Sequence, residues 1–144
     1  MAVSDTPSPL TIRPFEEDDA APVIALWHAC NLVVPWNDPA HDIACKLKVN
    51  PELFLVAVEA GRVVGTVMVG YDGHRGWINY LGVAPELRRR GVGRLLMQEA
   101  ETRLRARGCP KINLQVRTTN LEVIEFYKAI GFQEDPVVSF GKRL

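Results

Sequence analysis

The alternation of apolar and polar positions in the first third of the chain predicts a strand followed by two helices. The segment TIRPF (11–15) predicts the strand. An acidic stretch at 16–19 then precedes apolar positions at helical spacing, which are Val23, Ile24, Trp27 and Cys30. After a break at LVVPWNDPA (32–40), Ile43 and Leu47 recur at helical spacing and predict a second, short helix.

Three apolar segments follow: LFLVAVEA (53–60), VVGTVMVGY (63–71) and WINYLGV (77–83). The first two are too uniformly apolar to leave one face in water, so they predict strands that lie centrally in a sheet, and the third predicts one more apolar strand. Turn sequences around Gly61 and at DGHRG (72–76) separate them, and the first two strands should form a hairpin.

A third helix is predicted by an apolar stripe whose members are Val92, Leu95, Leu96, Ala100 and Leu104. Gly108 and Pro110 should end this helix. The next segment, KINLQVR (111–117), alternates between apolar and polar residues. This alternation predicts another strand.

The end of the chain predicts one more helix, capped by Asn120 and running to Gly131, and then one or two closing strands in the tail GFQEDPVVSFGKRL (131–144). The element order βααβββαβαβ, with a possible last strand, indicates a mixed α/β (α+β) fold. We expect a mostly antiparallel central sheet of six or seven strands with about four helices. A single domain should span 11–144, after a flexible tail at 1–10.

Length and composition are those of an ordinary soluble domain: 144 residues, 47% hydrophobic and 24% charged. No apolar run approaches the roughly 18 residues of a membrane span, and the first residues do not resemble a secretory signal, so we expect a cytoplasmic protein without a membrane partner. Three scattered cysteines predict no disulfide framework. His41, Cys45 and Asp38 lack a suitably spaced fourth ligand, so no metal is expected.

The net charge is zero, but the charges are unevenly distributed. Residues 1–80 contain five Lys or Arg against ten Asp or Glu, a net charge of −5, while residues 81–144 contain twelve against seven, a net charge of +5. A surface of one sign concentrates ligands of the opposite sign. This distribution favours an anionic ligand on the later half and a cationic one on the earlier half, although two solvated surfaces would look the same.

The sequence PELRRRGVGRLLM (85–97) places three arginines, Arg88, Arg89 and Arg90, directly before a helix. A helix begins with unpaired N–H groups and a partial positive charge, so cations there are unfavourable by about 0.3–1 kcal/mol. The unfavourable placement predicts an external anion. Gly91 and Gly93 lack side chains, so the backbone N–H groups can approach such an anion closely.

The spacing after the glycines excludes two common phosphate-binding loops. A Walker loop needs Lys and then Ser or Thr after its last glycine, but Gly93 is followed by Arg94 and Leu95. A dinucleotide fingerprint needs a third glycine where Leu96 lies. The remaining pattern is Arg-x-x-Gly-x-Gly after a strand.

Two segments in this order resemble a known family. LGVAPELRRRGVGRLL (81–96) is similar to the acetyl-CoA-binding motif of the GNAT N-acetyltransferases, and NLEVIEFYKAIGF (120–132) is similar to a later helix of that family. The stretches PWNDP (35–39), GYDGHRG (70–76) and RGCPK (107–111) resemble a bacterial GNAT subfamily whose acceptor we do not name. The resemblance implies the GNAT fold and direct transfer of an acetyl group from acetyl-CoA to a primary amine, with both substrates bound together.

The resemblance also implies cofactor-binding residues. The pyrophosphate of CoA should contact the backbone at residues 88–94, which are Arg88, Arg89, Arg90, Gly91, Val92, Gly93 and Arg94. Arg88 is the preferred side-chain contact, while the other arginines could reach the ribose phosphate or only water. Backbone groups of Leu81 and Val83 should bind the pantetheine arm. Asn120 should contact this arm or a bound water as well as cap its helix.

The implied catalytic groups are the Val83 backbone N–H, which would donate to the thioester oxygen, and Tyr127. A phenol is protonated at neutral pH, so Tyr127 could act as the general acid for the departing thiolate. The base stays open: relatives that acetylate ribosomal protein N-termini carry Glu where Gln115 lies here, and Glu86, Asp72, His74 or a water chain could replace it. An acceptor amine that is already partly neutral would need no such base.

The acceptor site implied by the family lies at the loop between the first two helices and at hairpin ends. Here these segments contain Trp36, Asn37, Asp38, Tyr71, Asp72 and His74, which could bind the amine of a small molecule or of a protein. We expect a monomer or homodimer.

Two other classes compete with an enzyme. A non-catalytic acyl-CoA sensor would keep the cofactor site, and only the tyrosine argues against it. A nucleic-acid-binding module could use the basic helix start, but the balanced charge and the lack of an aromatic platform argue against it, so no nucleic acid is expected.

Overall fold

The structure, a computed structural model, describes residues 9–144, so most of the predicted N-terminal tail lies outside the described residues. The described part of the chain forms two compact units, which divide between Leu114 and Gln115. The first unit contains five strands and three helices: β1 (Leu10–Pro14), α1 (Ala20–Ala29), α2 (Pro39–Lys46), β2 (Phe54–Glu59), β3 (Arg62–Tyr71), β4 (Gly76–Val83), α3 (Val92–Ala106) and β5 (Ile112–Leu114). The second contains α4 (Leu121–Ala129).

The sheet has the order β1-β2-β3-β4-β5, antiparallel except for the parallel pair β4–β5. The central position of β2 and β3 explains their uniform apolarity, because both of their faces are covered. Helix α3 covers one face: a Cβ on Gly65 or Gly76 would touch its side chains. Helix α1 covers the other face, where Trp27 is bonded to Thr66 of β3. The predicted mixed, mostly antiparallel fold with four helices is confirmed.

The predicted count of six or seven strands is wrong for the part of the chain that the structure describes, which has five. No strand is found from residue 115 to the end of the chain. Val137, Val138 and Phe140 are exposed, and they form too short an apolar run for a strand that must bury a face. Pro136, just before them, has no N–H to donate to a ladder.

Two details of the predicted second half also differ. The strand predicted over 111–117 is confined to Ile112–Leu114, because its pairing with β4 ends there. In α3, Leu95 is 44% exposed and Met97 is buried instead. At 100° per residue, Leu95 points well away from the direction of Ala100, the centre of the buried stripe.

Among residues 9–144, no helix combines the length and apolar composition needed to cross a lipid bilayer.

The first turn of α3 packs tightly against Gly65 of β3. A Cβ on Gly65 would lie 2.9 Å from Leu96 Cδ1 and 3.2 Å from Val92 Cγ1, and Val92 is the first residue of α3. Because Leu96 and Val92 are buried, neither side chain can easily move aside.

We therefore expect Gly65→Ala to destabilise the fold by about 1–3 kcal/mol, the usual cost of overpacking. Urea unfolding followed by circular dichroism measures the change. Gly70→Ala on the same strand is the matched control, since nothing lies within 4 Å of its added Cβ. Equal stability of the two variants would contradict the tight contact.

Candidate active site

Strand β4 has one edge that is only partly paired. Its parallel pairing with β5 covers Gly76–Ile78, and no β5 partner is recorded for residues 79–83. The Ala84 N–H donates to the Val64 carbonyl at 2.8 Å, on the β3 side. Because N–H directions alternate along a strand, the N–H and C=O of Val83 point to the open edge. The Cys30 thiol, at the end of α1, donates to that carbonyl at 3.2 Å.

A β-bulge lies between the paired and open parts of β4. Asn79 pairs with Met68 and Gly82 with Thr66, so Tyr80 and Leu81 together oppose one residue of β3. Tyr80 has φ +52°, in the left-handed region that residues with a Cβ rarely adopt. The bulge changes the direction of β4 just where the pairing with β5 has ended.

The loop between β4 and α3 has the backbone of an anion site. Arg89 and Gly91 have φ values of +69° and +83°, and no side chain caps α3. The first N–H groups of a helix have no acceptors within it, so those at the start of α3 are available to a ligand. A Cβ on Gly91 would meet no atom within 4 Å, which means that the loop opens to the surface there.

The arginines of this loop are exposed, and within residues 9–144 no acidic side chain neutralises their charge. In the described residues, no carboxylate forms an ion pair with Arg88, Arg89, Arg90 or Arg94. The nearby Glu86 is instead paired with Arg62. Uncapped amides, two left-handed residues and unpaired cations together make a site that fits a phosphate or pyrophosphate. Val92 contributes backbone only, since its side chain is buried.

In the second unit, Tyr127 lies on α4 with its ring between Phe126 and Phe132, at centroid distances of 5.2 and 5.5 Å. The residue is 8% exposed, and burial raises its pKa to about 12. Within residues 9–144 the Tyr127 hydroxyl has no hydrogen-bond partner. Every fully buried side-chain oxygen or nitrogen in that range does have a partner, so the Tyr127 hydroxyl oxygen is not fully buried. The hydroxyl therefore reaches solvent and is free to donate.

Asn120 occupies the N-cap position of α4, as predicted, but its side chain makes no capping bond. Its carbonyl accepts the Ile124 N–H at 3.1 Å. The uncommitted amide group leaves the predicted second role open to test.

The structure places the predicted acceptor residues in two separate groups. In the loop between α1 and α2, Trp36 is 53% exposed and Asp38 Oδ1 caps α2 by accepting the Ala40 and His41 N–H groups. The Asn37 N–H donates to the Val34 carbonyl at 3.0 Å. This loop begins beside the open end of β4, where a Cβ on Gly82 would lie 3.0 Å from Leu32 Cδ1.

The other group, Tyr71, Asp72 and His74, lies in the hairpin that precedes Gly76, the first residue of β4. At about 3.3 Å per residue, the length of β4 separates this hairpin from Val83 by roughly 23 Å. The Asp72 carboxylate is used within the hairpin, where it accepts the His74 and Arg75 N–H groups at 2.8 and 2.7 Å.

Neither acidic candidate for the base is suited to the role. Hydrogen bonds from the Arg75 and His74 N–H groups lower the pKa of Asp72, and the Arg62 side chain lowers that of Glu86. A lowered pKa makes a carboxylate a weaker proton acceptor.

Among residues 9–144, no group of three or more His, Cys, Asp and Glu could hold a metal ion. His41 and Cys45 are in contact at 3.4 Å but have no third ligand in this region.

Sequence reasoning missed the side chains that surround the bulge, which are Trp27, Asp42, Thr66 and Tyr80. The Trp27 indole donates to Thr66 Oγ1 at 2.9 Å, and the Thr66 hydroxyl donates to the Tyr80 carbonyl at 2.8 Å. The Tyr80 hydroxyl donates to Asp42 at 2.5 Å. Partners up to 39 residues apart leave no local pattern, so no signal in the sequence indicated these bonds.

Similarity to known proteins identifies the family of this chain. The model of the acetyltransferase (GNAT) family matches residues 21–132. This chain is a member of the GNAT acetyltransferase family. An acetyltransferase of Sodalis glossinidius (strain morsitans) is 52% identical over 136 residues, which are 94% of this chain and 96% of the relative. An acetyltransferase of Yersinia pseudotuberculosis is 50% identical over 135 residues, with the same two coverages. This GNAT protein is therefore an acyltransferase.

Solved structures agree with the GNAT assignment. Ard1 from Thermoplasma volcanium is 30% identical and superposes with a TM-score of 0.73, covering 86% of this chain and 82% of its own. The aminoglycoside acetyltransferase AAC(6')-Iy, solved with a bisubstrate analogue of CoA and acetylneamine, has a TM-score of 0.77 at 20% identity. It covers 95% of this chain and 100% of its own, and at that identity it supports the fold alone.

Proposed function

We propose that this GNAT enzyme transfers an acetyl group directly from acetyl-CoA to a primary amine, of a small molecule or a protein, while both are bound. One observation carries the proposal. The uncapped start of α3 has Gly91 at φ +83° and arginines around it that form no ion pair within residues 9–144. A short loop joins it to the strand whose edge is open at Val83.

The cofactor side of the proposal assigns the pyrophosphate to the backbone N–H groups of residues 89–94, with Arg88 as the main side-chain contact. Left-handed residues turn successive N–H groups toward one point, which is the usual geometry of an anion-binding loop. Arg89, Arg90 and Arg94 supply further positive charge. The open-edge backbone groups of Leu81 and Val83 would bind the pantetheine arm as an additional strand does.

Acetyl-CoA, when bound, supplies the acetyl group as an activated thioester. The Val83 N–H would donate to the carbonyl oxygen as negative charge develops there, a stabilisation that is often the largest contribution to the rate. Tyr127 would give its proton to the departing sulfur, and its raised pKa keeps that proton in place at neutral pH. Asn120 would contact the cofactor arm or a bound water.

On the acceptor side we retain Trp36, Asn37 and Asp38, because their loop begins against the open end of β4. The hairpin residues Tyr71, Asp72 and His74 are left out, since they lie at the opposite end of that strand. The surplus of acidic residues in the first half of the chain favours a cationic amine. Since Asp72 and Glu86 are poor bases, we propose that solvent water removes the proton of the amine.

Titration calorimetry with acetyl-CoA, followed by a panel of amines, tests the proposal. The panel should contain polyamines, aminoglycosides, lysine peptides and peptides with a free N-terminus, and release of the CoA thiol is measured with a thiol reagent. We expect binding of acetyl-CoA and thiol release that depends on at least one amine. Tight CoA binding without turnover on any amine would instead support a non-catalytic sensor.

A further inference from the structure

We propose that Thr66 and Tyr80 are positioning residues for acetyl transfer: with Trp27 and Asp42 they hold the β4 bulge in the conformation that aims the open-edge N–H groups. This inference rests on the proposed function, because it concerns the N–H groups assigned there to the thioester. We name these four residues the bulge lock.

The need for a lock comes from the backbone of Tyr80. Its φ of +52° is disfavoured for any residue with a Cβ, and such a conformation persists only where surrounding contacts enforce it. Tyr80 lies two residues after Ile78, the last β4 residue paired with β5, and three before Val83. Rotation of the chain at Tyr80 therefore changes the direction of every N–H group on the open edge.

The hydrogen bond between Thr66 and the Tyr80 carbonyl can have only one donor, which is the Thr66 hydroxyl. Thr66 is 0% exposed and has a single hydroxyl proton. The Trp27 indole N–H is a donor only, and it uses the Thr66 oxygen as acceptor at 2.9 Å. The hydroxyl proton must therefore go to the Tyr80 carbonyl, which lies 2.8 Å away.

The side chain of Tyr80 completes the lock. Its ring stacks on Trp27 with centroids 3.9 Å apart and planes 14° from parallel. Its hydroxyl donates to Asp42 Oδ2 at 2.5 Å, and Asp42 lies on α2, the helix that Asp38 caps. Both the carbonyl and the phenol of Tyr80 are thus held, and the bulge is tied to the helix that follows the proposed acceptor loop.

The first test replaces Thr66 with valine, which keeps the shape and removes the hydroxyl, and uses Thr66→Ser as the matched control. We expect the kcat of Thr66→Val to fall by about 10- to 100-fold, the usual cost of misplacing a catalytic group by about 1 Å. The dissociation constant for CoA should rise much less than kcat falls, because the proposed pyrophosphate contacts at the start of α3 lie outside the bulge and only the contacts of the pantetheine arm are disturbed. Thr66→Ser should recover most of the lost rate.

A second variant guards against a folding defect in the first. Tyr80→Phe keeps the stacked ring and loses only the bond to Asp42, so it should fold and show a smaller loss of kcat. Hydrogen exchange of the peptide that covers 79–83 should be faster in Thr66→Val than in Thr66→Ser, at a temperature where both variants are folded.

The outcomes separate this inference from the proposed function. Absence of amine-dependent turnover in the wild type would refute the function, and the lock would then be judged by hydrogen exchange at 79–83 alone. The lock is overturned if Thr66→Val keeps wild-type kcat, or wild-type exchange where there is no turnover. It is also overturned if the serine variant loses as much rate as the valine variant, or if CoA affinity falls in parallel with kcat.

Discussion

Replacement of Gly91 by glutamate should weaken CoA binding at least about 100-fold, equivalent to about 2.7 kcal/mol. Two physical effects act together. The side chain adds a negative charge at the place where the pyrophosphate is proposed to lie, and like charges in contact repel strongly. Glutamate also disfavours the φ of +83° that Gly91 adopts, so the loop would shift away from the anion-binding conformation.

Titration calorimetry with CoA measures this effect, and Gly73→Glu is the matched control. Gly73 has φ +86° in the β3–β4 hairpin, and an added Cβ would meet nothing within 4 Å, as at Gly91. The control therefore carries the same backbone strain and the same change of charge at a distance from the loop. If both variants bind CoA as the wild type does, the phosphate is not held at Gly91.

The substitution Tyr127→Phe should lower kcat by about 100-fold or more, the contribution typical of a general acid. The ring contacts with Phe126 and Phe132 are kept, so thermal stability should change little. The KM for acetyl-CoA should also change little, since the hydroxyl is proposed to act only when the sulfur departs.

The pH dependence gives this prediction a second readout. Burial raises the pKa of Tyr127 to about 12, so the acid form is complete at neutral pH and is lost only as pH rises toward that value. If the wild-type rate changes with pH anywhere below about pH 10, the titration of a group other than Tyr127 should therefore cause the change. Tyr71→Phe in the hairpin is the control and should keep wild-type kcat. A Tyr127→Phe variant with wild-type kcat would show that the leaving thiolate takes its proton from water.

The elements that sequence reasoning predicted well are those whose burial is set locally. The apolar segments of β2 and β3 have apolar side chains on both faces, so both faces of these strands must be covered. The apolar side chains of α3 lie on one side of the helix, so only that side must be covered. The glycine loop is also indicated locally, because cations before a helix are unfavourable without an anion, whatever the rest of the fold; the binding of a phosphate there stays a prediction. Its charge and position are therefore visible in the residues themselves.

The features that were missed depend on distant parts of the chain. The left-handed conformation of Tyr80 is unexpected for an aromatic residue, and the bonds that stabilise it come from Trp27, Asp42 and Thr66. The acceptor residues predicted from the sequence lie in two separate groups in the structure, and their separation also depends on distant parts of the chain. PWNDP and GYDGHRG each predict a polar loop, but only the direction of β4 determines at which end of the strand each loop lies.

The close packing at Gly82 limits how acceptor preference could be redesigned. A Cβ on Gly82 would lie 3.0 Å from Leu32 Cδ1 and 3.4 Å from Cys30 Sγ, so the first part of the loop is packed against β4. The residues beyond it, with the exposed indole of Trp36 among them, are the part that variation can reach. A library aimed at new amines should keep positions 30–32 constant and diversify 33–37, leaving the aspartate that caps the next helix in place.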